Sequence, residues 1–90
     1  MRTSEQIYHR IRWDQRLDPT RFVVGIDMHA ARPKRVAFPS FTPGPDLPWH
    51  RVLFFEADDQ LLWDRRTGRD VLDASAAGRV RFVRTLTAPF

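Results

Sequence analysis

Three short stretches hold the residues best suited to chemistry: Arg12-Trp13-Asp14, Trp49-His50-Arg51 and Trp63-Asp64-Arg65. In each, an indole stands beside a guanidinium, a carboxylate or both. Such a group can stack its ring on a base or an arginine while the charged neighbours handle phosphate. The same pattern also arises when a core tryptophan sits at the end of an element and its neighbours point to water. His50 beside Arg51 offers an acid or base next to a phosphate-holding fork, or else a ring that hydrogen-bonds at a strand edge. Arg35 to Phe38 adds another guanidinium near a ring. Aromatic and basic residues interleaved in this way suit single-stranded nucleic acid, and protein-interaction surfaces use them too.

Other chemistries are poorly supported. There is no cysteine, and His9, His29 and His50 show no ligand spacing to one another or to a carboxylate, so neither metal nor cofactor is expected. No glycine-rich phosphate loop is present, and Ser4, Ser40 and Ser75 form no nucleophile elbow, so no catalytic residue is assigned. The opening Met-Arg-Thr-Ser-Glu-Gln leads into no apolar run of signal-peptide or membrane-span length, which makes a cytoplasmic protein the expectation. With 42% hydrophobic and 29% charged residues, the 90-residue chain should form one small globular domain.

The net charge of +4 is unevenly spread. Residues 1–65 carry ten basic and nine acidic groups. Residues 66–90 carry Arg66, Arg69, Arg79, Arg81 and Arg84 against Asp70 and Asp73 only. Fourteen of the 15 basic residues are arginine, a ratio that GC-rich coding also produces, but the clustered excess hints at a polyanion partner. It predicts that Arg79, Arg81 and Arg84 add phosphate contacts that do not depend on sequence.

Local signals place these residues on elements. Thr3 with Gln6 fits a capping box, and Ile7, Tyr8 and Ile11 give the helix that follows a one-sided apolar stripe. The helix should end near Asp14, because Asp18-Pro19 enforces an extended or turn conformation. At ~100° per residue Trp13 lies about 200° from Ile11, off the core stripe, so it is the tryptophan best placed for exposed stacking. Phe22 to Ile26 reads as a buried strand ending at Asp27, and Arg35 to Phe38 as a second strand. Residues 39–48 hold four of the seven prolines and form a stiff loop. Arg51 to Ala57, Asp58-Asp59 and Gln60 to Arg65 read as a β-hairpin, with Leu61, Trp63 and Arg65 on one face and Leu62 and Asp64 on the other. Asp70 to Ala77 is expected as a short helix capped by Gly78, and Arg79 to Thr87 as a last strand or an arm ordered on binding.

Assembled, these stretches resemble a family of small domains named for RNA cyclic group end recognition. The likeness spans about residues 4–66. It comprises Arg10 to Asp14, Asp18-Pro19, the strand Phe22 to Asp27, the segment Pro48 to Val52 and Trp63 to Arg65. It implies recognition of RNA termini, with the 2′,3′-cyclic phosphate foremost. The matching positions Trp13, Asp14, Asp27, His50, Arg51, Trp63, Asp64 and Arg65 become the candidates. Family members commonly carry an arginine after the strand-ending aspartate, where this chain has Met28-His29. His29, Arg32 or Arg35 would then take its place.

The expectation is an α+β fold, with the N-terminal helix packed on a small, curved, mainly antiparallel sheet. Ile7, Ile11, Val23, Ile26, Val52, Phe54 and Leu61 should form the core. Residues 1–66 would be the recognition domain, and 67–90 a basic extension packed on it or trailing from it. The function expected is RNA-end binding in repair or processing, with an RNA ligase, phosphodiesterase or nucleotidyltransferase as a candidate partner. The alternatives are a phosphate-ester enzyme using His50, Arg51 and Arg65, and a protein-interaction module. For binding, Arg51 and Arg65 would grip the cyclic phosphate, His50 would add a hydrogen bond, and Trp13 or Trp63 would stack on the terminal base. Asp27 and Asp64 would disfavour the extra charge of an opened phosphate.

Overall fold

The computed structural model describes residues 1–45 and 47–81, so the end of the expected last strand lies outside the described residues. One helix, α1 (Ser4–Trp13), covers one face of an open five-stranded antiparallel sheet. The strands are β1 (Phe22–Ile26), β2 (Lys34–Ala37), β3 (Val52–Ala57), β4 (Gln60–Asp64) and β5 (Arg69–Asp70), in the order β2-β1-β3-β4-β5. The capping box forms as the sequence predicts: Gln6 N donates to Thr3 Oγ1, and Thr3 N donates to Gln6 Oε1. Asp14 ends the helix in an extended conformation.

Ile7, Tyr8 and Ile11 of α1 pack on Phe22, Val24, Ile26, Val52, Phe55, Leu62 and Trp63. Two of the expected core positions, Val23 and Leu61, are only half-buried, and a third, Phe54, is buried outside this cluster. Val23 faces away from the core by plain alternation with Phe22, Val24 and Ile26. Phe54 and Leu61 are displaced by a pair of register shifts, one opposite Gly25/Ile26 and one at Phe55/Glu56. Each inserts a residue into one strand and inverts the alternation beyond it. Leu62 and Trp63, expected on opposite faces, are both buried for this reason.

On the face away from α1, Arg35, Gly25, Phe54, Asp64 and Arg69 line up across the five strands. A Cβ at Gly25 would fall 2.0 Å from the Phe54 ring, so the ring lies flat only because that strand position has no side chain. The guanidiniums of Arg35 and Arg66 stand 5.8 and 5.7 Å from its centroid.

The β3–β4 hairpin turns through Asp58 and Asp59, at φ of 52° and 64°, as a two-residue turn demands. Beyond Gly68 the sequence expectation fails. In place of a helix over Asp70 to Ala77, Arg69–Asp70 extends the sheet and residues 71–75 turn back, burying Leu72 and Ala77. Val71 N donates to Leu62 O, which carries the pairing with β4 one residue past Asp70. Gly78, at φ 76°, then lets the chain pass against Phe22, and Val80 N donates to Arg16 O. Residues 78–80 therefore make main-chain contacts with the segment after α1.

Candidate functional site

Four of the sequence-derived candidates are part of the scaffold. Trp63 is fully buried, its Nε1 donating to Arg2 O at 2.9 Å, so it has no face to offer a base. This corrects the expectation that either Trp13 or Trp63 stacks. Arg65 lies 5.6 Å from the Trp63 ring and donates to Val52 O, Ser4 Oγ and Trp49 O. Nε and Nη2 are thereby committed to the scaffold, so a bidentate phosphate grip through that edge of Arg65 would have to break those bonds. Asp64 is buried as well, and accepts from Arg66 N, Nε and an amino nitrogen. Burial pushes its pKa up, but the Arg66 bonds outweigh this and hold the carboxyl below its ordinary range. Asp14 accepts from Arg16 side chain and main chain and from Arg10, and those bonds depress its pKa strongly.

The remaining candidates reach the surface in three places. Arg35 pairs with Glu56 at 2.6 Å on the face away from α1, which separates it from the strand-ending aspartate. A second group gathers where β1 ends and β3 begins. Trp49–Arg51 forms a 3-10 turn, and its first carbonyl accepts from both Ser4 Oγ (2.8 Å) and Arg65 (3.0 Å). Fixed at that point, the turn presents an exposed His50 and a half-buried Arg51. Arg51 Nε donates to Asp27 O at 2.9 Å, and Asp27 N donates to Arg51 O at 2.8 Å. The Asp27 carboxylate accepts from His29 N, holding His29 in a left-handed conformation at φ 58°. Of the three residues that the sequence offers for the missing arginine, His29 is the one in contact with Asp27. Met28, at the arginine's position, sets its sulfur 3.4 Å from an Arg51 amino nitrogen.

The third place is the C-terminal half of α1. Trp13 is 69% exposed, and the Arg12 guanidinium lies 5.1 Å from its ring centroid. Phe38 and Phe41 bring the proline-rich loop onto the helix, stacking on and edging against Tyr8 at 5.0 and 5.7 Å. Between loop and helix runs an open groove lined by Tyr8, His9, Arg12, Trp13, Phe41 and Pro43, among others. The sequence reading found Trp13 with Arg12 beside it but missed His9 and Phe41 as their companions. Trp49 joins the two regions: its ring is 6.2 Å from His9 and 6.4 Å from Phe41, and His50 follows it in the chain.

Among the described residues no group of three His, Asp or Glu side chains is arranged to hold a metal ion, and no helix is long and apolar enough to cross a membrane. Fold and surface together define a small α+β domain with aromatic and cationic groups on one helix-and-loop side. The chain belongs to the family described as the MJ1316 RNA cyclic group end recognition domain, whose sequence profile matches residues 1–65. No solved structure matches it significantly.

Proposed function

We propose that this domain binds RNA termini, favours the 2′,3′-cyclic phosphate, and works in RNA repair or processing beside a ligase, phosphodiesterase or nucleotidyltransferase. Family membership supplies the ligand class. The observation that carries the assignment is the Trp49–Arg51 turn, which presents an exposed His50 and, next to it in the chain, Arg51 on a base fixed by Ser4 and Arg65. Arg51 is oriented through Nε by a backbone carbonyl, which leaves part of its fork for non-bridging phosphate oxygens. His50 donates a further hydrogen bond.

Asp27 supplies the discrimination. A cyclic phosphate carries one negative charge and a linear terminal phosphate nearly two at neutral pH, by analogy with a phosphoserine's second pKa of about 6. A carboxylate beside the grip penalises the second charge. Asp64, locked to Arg66, takes no direct part, and Asp14, Trp63 and Arg65 act by positioning.

The test is binding to oligonucleotides identical except for cyclic-phosphate, monophosphate or hydroxyl 3′ ends. Cyclic ends should bind tightest, Arg51→Ala should bring them down to the hydroxyl level, and Asp27→Asn should favour the monophosphate. Equal binding of hydroxyl and cyclic ends would refute end recognition, and release of a ring-opened product would make the domain an enzyme.

A further inference from the structure

Holding a terminal phosphate makes no use of the groove between α1 and the proline-rich loop, yet that groove has the composition of a binding site. Trp13 leaves most of an indole in water, in a small domain that would gain stability by burying it. Arg12 beside it has no carboxylate partner among the described residues, because neighbouring Asp14 is taken by Arg10 and Arg16. Tyr8 and Phe41 supply apolar wall, and His9 supplies a half-exposed imidazole. Pro39 and Pro43 stiffen the rim, so little freedom is lost when the groove fills.

We propose that this groove binds an unpaired base upstream of the RNA terminus. The base stacks on Trp13, and Arg12 turns from the ring toward the adjoining phosphate. The direction comes from the helix. His9 touches Trp49, next to the His50–Arg51 turn, and Trp13 lies about 6 Å further along the axis at 1.5 Å per residue. A strand whose end is held at that turn passes Trp49 and His9 before it reaches Trp13, so the stacked base is an inner one. A buried apolar peptide would suit the walls but would leave Arg12 without a counter-charge, whereas single-stranded RNA offers both a π face and a phosphate at each step. The inference rests on the domain's being an RNA binder, and is independent of which end it prefers.

Tryptophan emission provides the readout, since Trp63 is buried and Trp49 partly so, leaving Trp13 the most open to quenching. A single-stranded oligonucleotide with a 3′-hydroxyl should quench the wild type. Trp13→Ala should weaken binding roughly tenfold for hydroxyl, monophosphate and cyclic ends alike. Trp13→Phe should keep most of the affinity. Arg12→Ala should lower both the affinity and its salt dependence. If Trp13→Ala binds every oligonucleotide as well as the wild type, or loses only one kind of end, the groove is not a base site. Should the wild type treat all ends alike while Trp13→Ala still weakens binding, the groove stands and end recognition falls. Quenching by a proline-rich or acidic peptide and not by RNA would make the groove a protein site and overturn the proposal.

Discussion

Two tryptophans in this chain lie close to an arginine, and the two pairs have opposite roles. Trp13 is open to solvent, and the Arg12 above it is bound to nothing else among the described residues. Trp63 is sealed in the core, and the Arg65 beside it spends its donors on Val52 O, Ser4 Oγ and Trp49 O. In sequence the triplets look alike. The difference lies in what the guanidinium is bound to: one held along its Nε–Nη2 edge by the protein's own oxygens is a strut, whereas an unbonded one is available to a ligand.

The largest consequence is for stability. Trp63→Ala should cost about 3–5 kcal/mol, the range for deleting a buried large aromatic, and Trp13→Ala should stay within about 0.5 kcal/mol. Thermal melts of the two variants check this, and equal losses would erase the distinction. The arginines should follow with smaller values. Arg65→Ala leaves Val52 O and Trp49 O with fewer donors and should cost about 1–3 kcal/mol, with a parallel loss of phosphate binding as the His50–Arg51 turn loosens. Arg12→Ala should leave the melt unchanged.

A third expectation concerns acid. Asp14, Asp58, Asp64, Asp70 and Asp73 all have pKa values held below the ordinary 3.8, chiefly by bonds to Arg16, Gly78 N, Arg66, Arg2 and Arg10 respectively, with burial opposing each. For carboxyls depressed in the folded state, the stabilisation is fully present above the unfolded pKa and drains away as pH falls through the folded values. The melting temperature should therefore be steady above about pH 4 and fall steeply below it. Asp14→Asn should start lower at pH 7 and show a shallower acid limb. A pH-independent melt would mean that these pairs contribute nothing. The smallest effect belongs to the turn that returns the chain to Trp63. Asp59→Gly removes a side chain from a left-handed position and should raise stability by about 0.5–1 kcal/mol, measurable as a shifted denaturant midpoint.

The fold was legible where local rules decide it. The Thr3–Gln6 cap, the Ile7/Ile11 stripe, β1 and the hairpin around Asp58-Asp59 are each written in a few adjacent residues. The bulges were not, because the register shift opposite Gly25/Ile26 depends on Phe54 lying over a glycine of another strand. The missing helix after Gly68 has the same origin: the free edge of β4 takes up Asp70, the first residue of the expected helix. Trp13 was legible from its angle on the helix. Its groove was not, since that required Phe38 and Phe41 to fold the loop onto Tyr8. Asp14, Asp64 and Arg65 were picked out as chemically able, and nothing in the sequence reveals that their partners are internal.

The ion pairs that fasten α1 have a bearing on portability. Arg10 bridges Asp14 to Asp73, and Arg2 reaches both Asp70 and Asp73. The family match stops at residue 65, yet two of the helix's three carboxylate anchors and the buried Leu72 lie beyond it. The unit that would have to travel intact into a longer polypeptide is therefore larger than the shared sequence. A transplant ending at the match would leave Arg10 with Asp14 alone and Arg2 with neither of its carboxylates.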